Sequence, residues 1–200
     1  MTSEPIPRER IGLIDVARGA HPSQLVIAGV LLCMSFAAFG MAPGIVSMAW
    51  LALVTPSLVV IDVRLRRLPN VLVVPGLAAV VVDGCWETAS AGQFPFLAFL
   101  TTSIVAAVML VLHLVGGLGM GDVKLSVVMT GCLSLVSPVL AVAALMLAFL
   151  LGGVYAAALL LRARGRRGSR IAFGPLLLSG FWTVVVLVAL YWNEAARAAL

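Results

Sequence analysis

GLGMGDVKL, residues 117–125, sets an acid and a base between two runs of sequence too apolar to lie anywhere but in a membrane. A carboxyl group at the edge of hydrocarbon is costly and marks a functional position by default. The run 96–115 precedes it, and 122–136 and 139–161 follow. Working outward, 24–41, 44–62, 70–84 and 172–192 complete seven such runs. A crossing takes about 20 apolar residues, with about 17–25 usual, so the third and fifth runs, at about 15, are short. Breaks at Pro43-Gly44, Pro69-Asn70 and Ser137-Pro138 separate neighbours, as helix-stopping residues do. The chain is therefore expected to be all-α, a polytopic membrane helix bundle of about seven transmembrane helices. Residues 1–23 form a polar cytoplasmic segment, 24–192 a single transmembrane domain, and 193–200 a short tail.

Composition agrees. The 200 residues are 62% hydrophobic and 10% charged, with mean hydropathy +1.17. A soluble domain carries about 25% charged residues, so no water-facing globule can be drawn from this chain. The net charge of +5 and pI near 9.9 would suggest nucleic acid in a soluble protein. Here every basic cluster flanks an apolar run, so the expected partner is anionic lipid head groups and not nucleic acid. Cys33, Cys85 and Cys132 form no CxxC pair and read as small buried hydrophobes. No His/Cys/acid cluster offers a metal site, and no cofactor is expected. No cleavable signal peptide is evident, although Ala37, Ala38 and Ala42 resemble a cleavage site.

Basic residues orient the bundle. Arg8, Arg10 and Arg18 precede the first run, and Arg64, Arg66 and Arg67 follow the second. Lys124 follows the fourth, and Arg162, Arg164, Arg166, Arg167 and Arg170 precede the seventh. Only Arg197 of the 13 Lys and Arg residues falls on the other side. The positive-inside rule then makes the N-terminus cytoplasmic and the C-terminus external. The outer connection 83–95 holds Asp83 and Glu87 but no base, and Trp86, Trp182, Tyr191 and Trp192 are placed near outer ends, where aromatic rings favour the head-group layer.

A second acid, Asp62, ends the second run in VVIDVRLRRLPN. Two crossings separate Asp62 from Asp122, so both fall on the cytoplasmic face. Each has a plain structural alternative: Asp122 as a helix cap, Asp62 as the partner of Arg66 one turn on. Gly116, Gly117, Gly119 and Gly121 crowd the approach to Asp122, where a cap needs none. Missing Cβ atoms let another backbone come close, which suits an extended substrate, and Gly119 and Gly121 are read as substrate-binding; a flexible loop or tight helix contact is the alternative. RIAFGPLLLSG, residues 170–180, enters the last run from the same face. Gly174 and Pro175 are expected to loosen its first turn and leave backbone groups for a guest strand, against the alternative of an ordinary proline-led helix start.

With these elements together the chain resembles the type IV prepilin peptidases, membrane aspartic peptidases of the GxGD type. The resemblance rests on IDVRLRRLPN, GGLGMGDVKL and IAFGPLLLSG, and runs from about Val46 to Tyr191. It implies that Asp62 and Asp122 are the catalytic pair and that the substrate is a pilin or pseudopilin precursor whose basic leader stays in the cytoplasm. It further implies a multi-pass protein of the bacterial inner membrane. Larger members carry a cytoplasmic insert with paired CxxC motifs and methylate the trimmed pilin. This chain has neither, so it is similar to the compact, peptidase-only form of tight-adherence systems. The expected chemistry is hydrolysis by a water between two carboxyl groups, since adjacent acids do not readily both ionise. Asp122 begins a helix and Asp62 ends one, so the helix dipole favours Asp122 as the anion, unless the nearby Arg64, Arg66 and Lys124 reverse the order. Lys124 is read chiefly as a lipid contact, and His113 as a packing residue. A small proton-coupled transporter or a non-catalytic membrane subunit are the rival readings. The absence of an acid in mid-span and of any repeat between the halves weighs against the transporter.

Overall fold

The computed structural model describes residues 21–66, 68–162 and 172–198, and these form helices α1 (Pro22–Phe39), α2 (Ile45–Leu65), α3 (Asn70–Ala91), α4 (Phe96–Leu114), α5 (Met120–Val136), α6 (Pro138–Arg162) and α7 (Gly174–Ala198). All but α5 are long and apolar enough to cross a membrane. The seven expected helices are present. The basic clusters at residues 8–18 and 164–170, with Arg67, lie outside the described residues.

At 17 residues, α5 rises only about 26 Å, short of the roughly 30 Å hydrocarbon layer. It lies at the centre, in contact with α2, α3, α4, α6 and α7. Ten of its residues are buried, among them Leu125, Met129, Cys132 and Leu133. A helix covered all round shows no single apolar face. Its hydroxyls are satisfied locally, as buried polar groups require: Ser126 donates to the Val123 carbonyl, Thr130 to the Ser126 carbonyl, and Ser134 to the carbonyls of Gly131 and Ala98. Around this post α1 packs on α2 and α7, and α6 on α7. Gly180 of α7 makes that last contact close: a Cβ there would stand 2.6 Å from the Ala144 carbonyl oxygen and 2.6 Å from the Ala148 nitrogen.

Two expectations are corrected at the outer end. The third run does not stop at residue 84, because α3 continues for 22 residues to Ala91. Asp83 is therefore not in an outer connection but inside a helix, with 0% of its surface exposed. Its carboxyl group accepts the Val46 N–H (3.2 Å), the Ser47 N–H (2.8 Å) and the Ser47 hydroxyl (2.6 Å). Those are donors of the first turn of α2, which has no side-chain cap of its own, so Asp83 caps that helix from its neighbour. The sequence-based statement that no acid lies within a span fails for the same reason. An Asp83→Ala substitution would strand these buried donors and is expected to cost about 3 kcal/mol of stability, read as an earlier unfolding midpoint in detergent. Asp83→Asn, which keeps one acceptor oxygen, should fall between. A variant as stable as the parent would show the cap to be dispensable.

Trp182 is the second correction. It is not at the membrane surface: only 8% exposed, it packs edge-on against Phe181 at 5.0 Å. Its indole N–H donates to the Thr55 hydroxyl of α2 at 3.0 Å. A buried indole needs such a partner. Trp86 and Tyr191 are exposed.

Candidate active site

Asp62 lies in the last turn of α2 and is 5% exposed. Its Oδ2 accepts the N–H of Gly174, 112 residues away, at 3.0 Å. Phe173 accepts the first turn's bonds from Leu176 and Leu177, which leaves the Gly174 N–H as one of the unpaired donors at a helix start. Asp62 fills that vacancy from another helix. The opening of α7 is thus not free for a guest strand at Gly174, contrary to the expectation from Gly174 and Pro175.

Asp122 lies in the first turn of α5, half-buried. Its Oδ2 accepts the Gly119 N–H at 3.3 Å while its own N–H donates to the Gly119 carbonyl at 3.1 Å, a reciprocal capping box. The helix-cap alternative for Asp122 is thus what its bonds show. Both acids consequently face the amino end of a helix, Asp122 that of α5 and Asp62 that of α7. The dipole contrast drawn from their positions along the chain therefore disappears.

The two acids belong to one locality: Cδ2 of Leu68 lies 3.5 Å from where a Cβ on Gly174, the residue bonded to Asp62, would be, and its Cβ lies 2.7 Å from where a Cβ on Gly121, the neighbour of Asp122, would be. Among the described residues, Oδ1 of each makes no protein hydrogen bond. Among the described residues, each acid thus has one oxygen anchored to backbone and one that is not.

The glycines explain how this is accommodated. A Cβ on Gly119 would sit 3.2 Å from Oδ2 of Asp122, and one on Gly174 would sit 2.7 Å from Oδ2 of Asp62. Their missing side chains seat the acids. Gly121 is not an open approach either, since a Cβ there would meet Cβ of Leu68 at 2.7 Å. Leu68, which the sequence reading passed over, fills the space between Gly121 and Gly174.

The base beside the site is engaged: Nζ of Lys124 donates to Oδ1 of Asn70 at 2.9 Å, tying the start of α5 to the start of α3. The sequence reading of Lys124 as a lipid contact did not foresee this bond. Nδ1 of His113 lies 2.8 Å from the Leu118 carbonyl and braces the glycine-rich connection. Pro175 follows Gly174 in the first turn of α7, where its missing N–H costs nothing. Among the described residues no group of three His, Cys, Asp or Glu could hold a metal ion.

The sequence model of the type IV leader peptidase family matches residues 45–159, more than half of the chain and a stretch that contains both acids. No match was found among curated proteins or among solved structures. Gly174 and Pro175 lie beyond the matched residues, and the bond from Gly174 to Asp62 ties them to that stretch.

Proposed function

The chain belongs to the type IV leader peptidase family, and from that premise we propose that it is an aspartic endopeptidase with Asp62 and Asp122 as its catalytic pair. It removes the leader from pilin or pseudopilin precursors at the cytoplasmic face of the bacterial inner membrane, without N-methylation. One observation carries this reading. Two acids sixty residues apart in sequence are linked through one side chain, Leu68, which meets the backbone beside Asp122 and the backbone bonded to Asp62; each acid has one oxygen pinned by a backbone N–H and, among the described residues, the other without a protein hydrogen bond.

A water held between the open oxygens meets one ionised and one protonated carboxyl group. The ionised group takes a proton from the water as its oxygen attacks the scissile carbonyl carbon, and the protonated group gives its proton to the carbonyl oxygen. Collapse of the tetrahedral intermediate breaks the C–N bond: the carboxyl group that took the water's proton gives it to the departing amine, while the other, now ionised, takes a hydroxyl proton from the intermediate, which leaves a carboxylic acid product and restores the singly protonated dyad. Such a pair titrates as a unit, and its activity should fall on both the acid and the alkaline side of an optimum. Gly119 and Gly174 serve the substrate indirectly, by seating the acids, and Pro175 fixes the turn that presents the Gly174 N–H. Gly121 gives room to the side chain that lines the notch. Anionic head groups are the proposed lipid partners of the flanking bases.

The test is direct. Detergent-solubilised protein is incubated with candidate pilin and pseudopilin precursors and the products are weighed by mass spectrometry. The expected result is a single cut that separates a basic leader from the apolar segment, with no added methyl group. Failure to shorten any precursor would favour the transporter or non-catalytic readings.

A further inference from the structure

Leu68 lies between the two acid-bearing motifs. It lies in the connection between α2 and α3, which turns at Arg66 through φ 51°, the one positive φ outside glycine among the described residues. The turn is held by the Arg66 N–H, which donates to the Asp62 carbonyl at 2.8 Å, and it ends at Pro69, ahead of the first turn of α3.

The Leu68 side chain spans two motifs that are far apart in sequence. Its Cβ lies 2.7 Å, and its Cγ and Cδ1 3.4 Å, from where a Cβ on Gly121 would be. Its Cδ2 lies 3.5 Å from where a Cβ on Gly174 would be. Gly121 precedes Asp122, and Gly174 donates to Asp62. One isobutyl group therefore bridges the backbone beside one acid and the backbone bonded to the other. It is half-buried, with part of its surface against the apolar core and part open. Arg64, in the last turn of α2, and Arg66, on the connection, are exposed, so Leu68 is the apolar side chain that this stretch turns toward the site.

We infer that Leu68 forms the wall of the subsite that receives the side chain flanking the cleaved bond, and so sets the size of residue accepted there. The inference rests on the peptidase reading above and deepens it. A peptide bond placed between the two carboxyl groups brings its flanking side chain against whatever fills the gap between Gly121 and Gly174, and that is Leu68. The contact is apolar and close, so it discriminates by volume. A difference of one methylene in such a wall changes selectivity by roughly 10- to 200-fold.

The experiment uses the full-length protein in detergent and a panel of precursors with Ala, Leu, Phe or Trp in turn on each side of the cleaved bond. Leu68→Ala is expected to shift the ratio of kcat/KM for Phe over Ala upward about tenfold or more, and Leu68→Phe to shift it downward, on one side of the bond. This crossing of enzyme size with substrate size is the readout, because a wedge that only held the helices would change all substrates by one common factor. Should Leu68→Ala fail to insert stably, the same crossing is sought with Leu68→Val and Leu68→Met, which keep most of the volume. A uniform loss across the panel, or an unmoved ranking, overturns the subsite while leaving the peptidase intact. No cleavage by the parent protein, or cleavage that survives in Asp62→Asn, sinks the peptidase reading and the subsite with it.

Discussion

Replacing either Asp62 or Asp122 by asparagine is expected to reduce leader cleavage by roughly 10²- to 10⁴-fold, the contribution of a positioned acid or base, while the protein still inserts and folds. The separation of the two effects follows from the hydrogen bonds. Asparagine keeps a carbonyl oxygen that can accept the Gly174 N–H at position 62 or the Gly119 N–H at position 122, so the helix starts remain satisfied. What it lacks is a proton that can be given or taken. The double variant should be little worse than either single one, because groups that act as a unit are not additive. Glu87→Gln, on α3 and away from both acids, is the control and should cleave normally. An asparagine variant at either position that trims a purified precursor at the parent rate would remove that residue from the dyad.

Gly174→Ala is the second large effect, expected to lower kcat by about 10²-fold, as an ångström-scale misplacement of a reacting group can. The nearest atom to the added methyl is Oδ2 of Asp62, at 2.7 Å. That atom is the end of a side chain, so the carboxyl group swings aside and the backbone stays where it is. The swing breaks the bond that fixes its position. Stability should change by about 1–2 kcal/mol, as for one hydrogen bond to a charged or polar group, and substrate affinity should change little. Gly121→Ala differs in kind, since the clash is with Cβ of Leu68, which cannot move without its backbone. An unaltered kcat in Gly174→Ala would mean that the bond to Asp62 is not needed for the chemistry.

How much of this was legible beforehand depends on the distance over which each feature is determined. Apolar runs declare helices locally, and seven were found where seven were expected. Parity of crossings brought Asp62 and Asp122 to one face without any knowledge of packing. The end of α3 was misjudged because Asp83-Gly84 reads locally as the start of a loop. The acid is tolerated within the helix only because the first turn of α2, 36 residues earlier, offers it three donors. Trp182 was misplaced for a similar reason, its partner Thr55 being 127 residues away. The glycines were recognised as a place where Cβ atoms are not tolerated. Nothing in one dimension reveals that the space goes to the two acids and to Leu68, and not to a guest. The signal for Leu68 was present in LRRLPN, as an apolar residue isolated between bases and a proline.

With ten of its 17 residues buried and five other helices against it, α5 is enclosed more by protein than by the acyl chains that set the length of the outer helices. Asp122, on its first turn, is therefore held at a depth fixed by an internal ruler. Lipids of different thickness would tilt or strain the six flanking helices at a modest cost per ångström, and the height of Asp122 within the bundle would be unaffected. Such an arrangement lets the depth of this acid follow the protein frame and stay indifferent to the thickness of the surrounding bilayer.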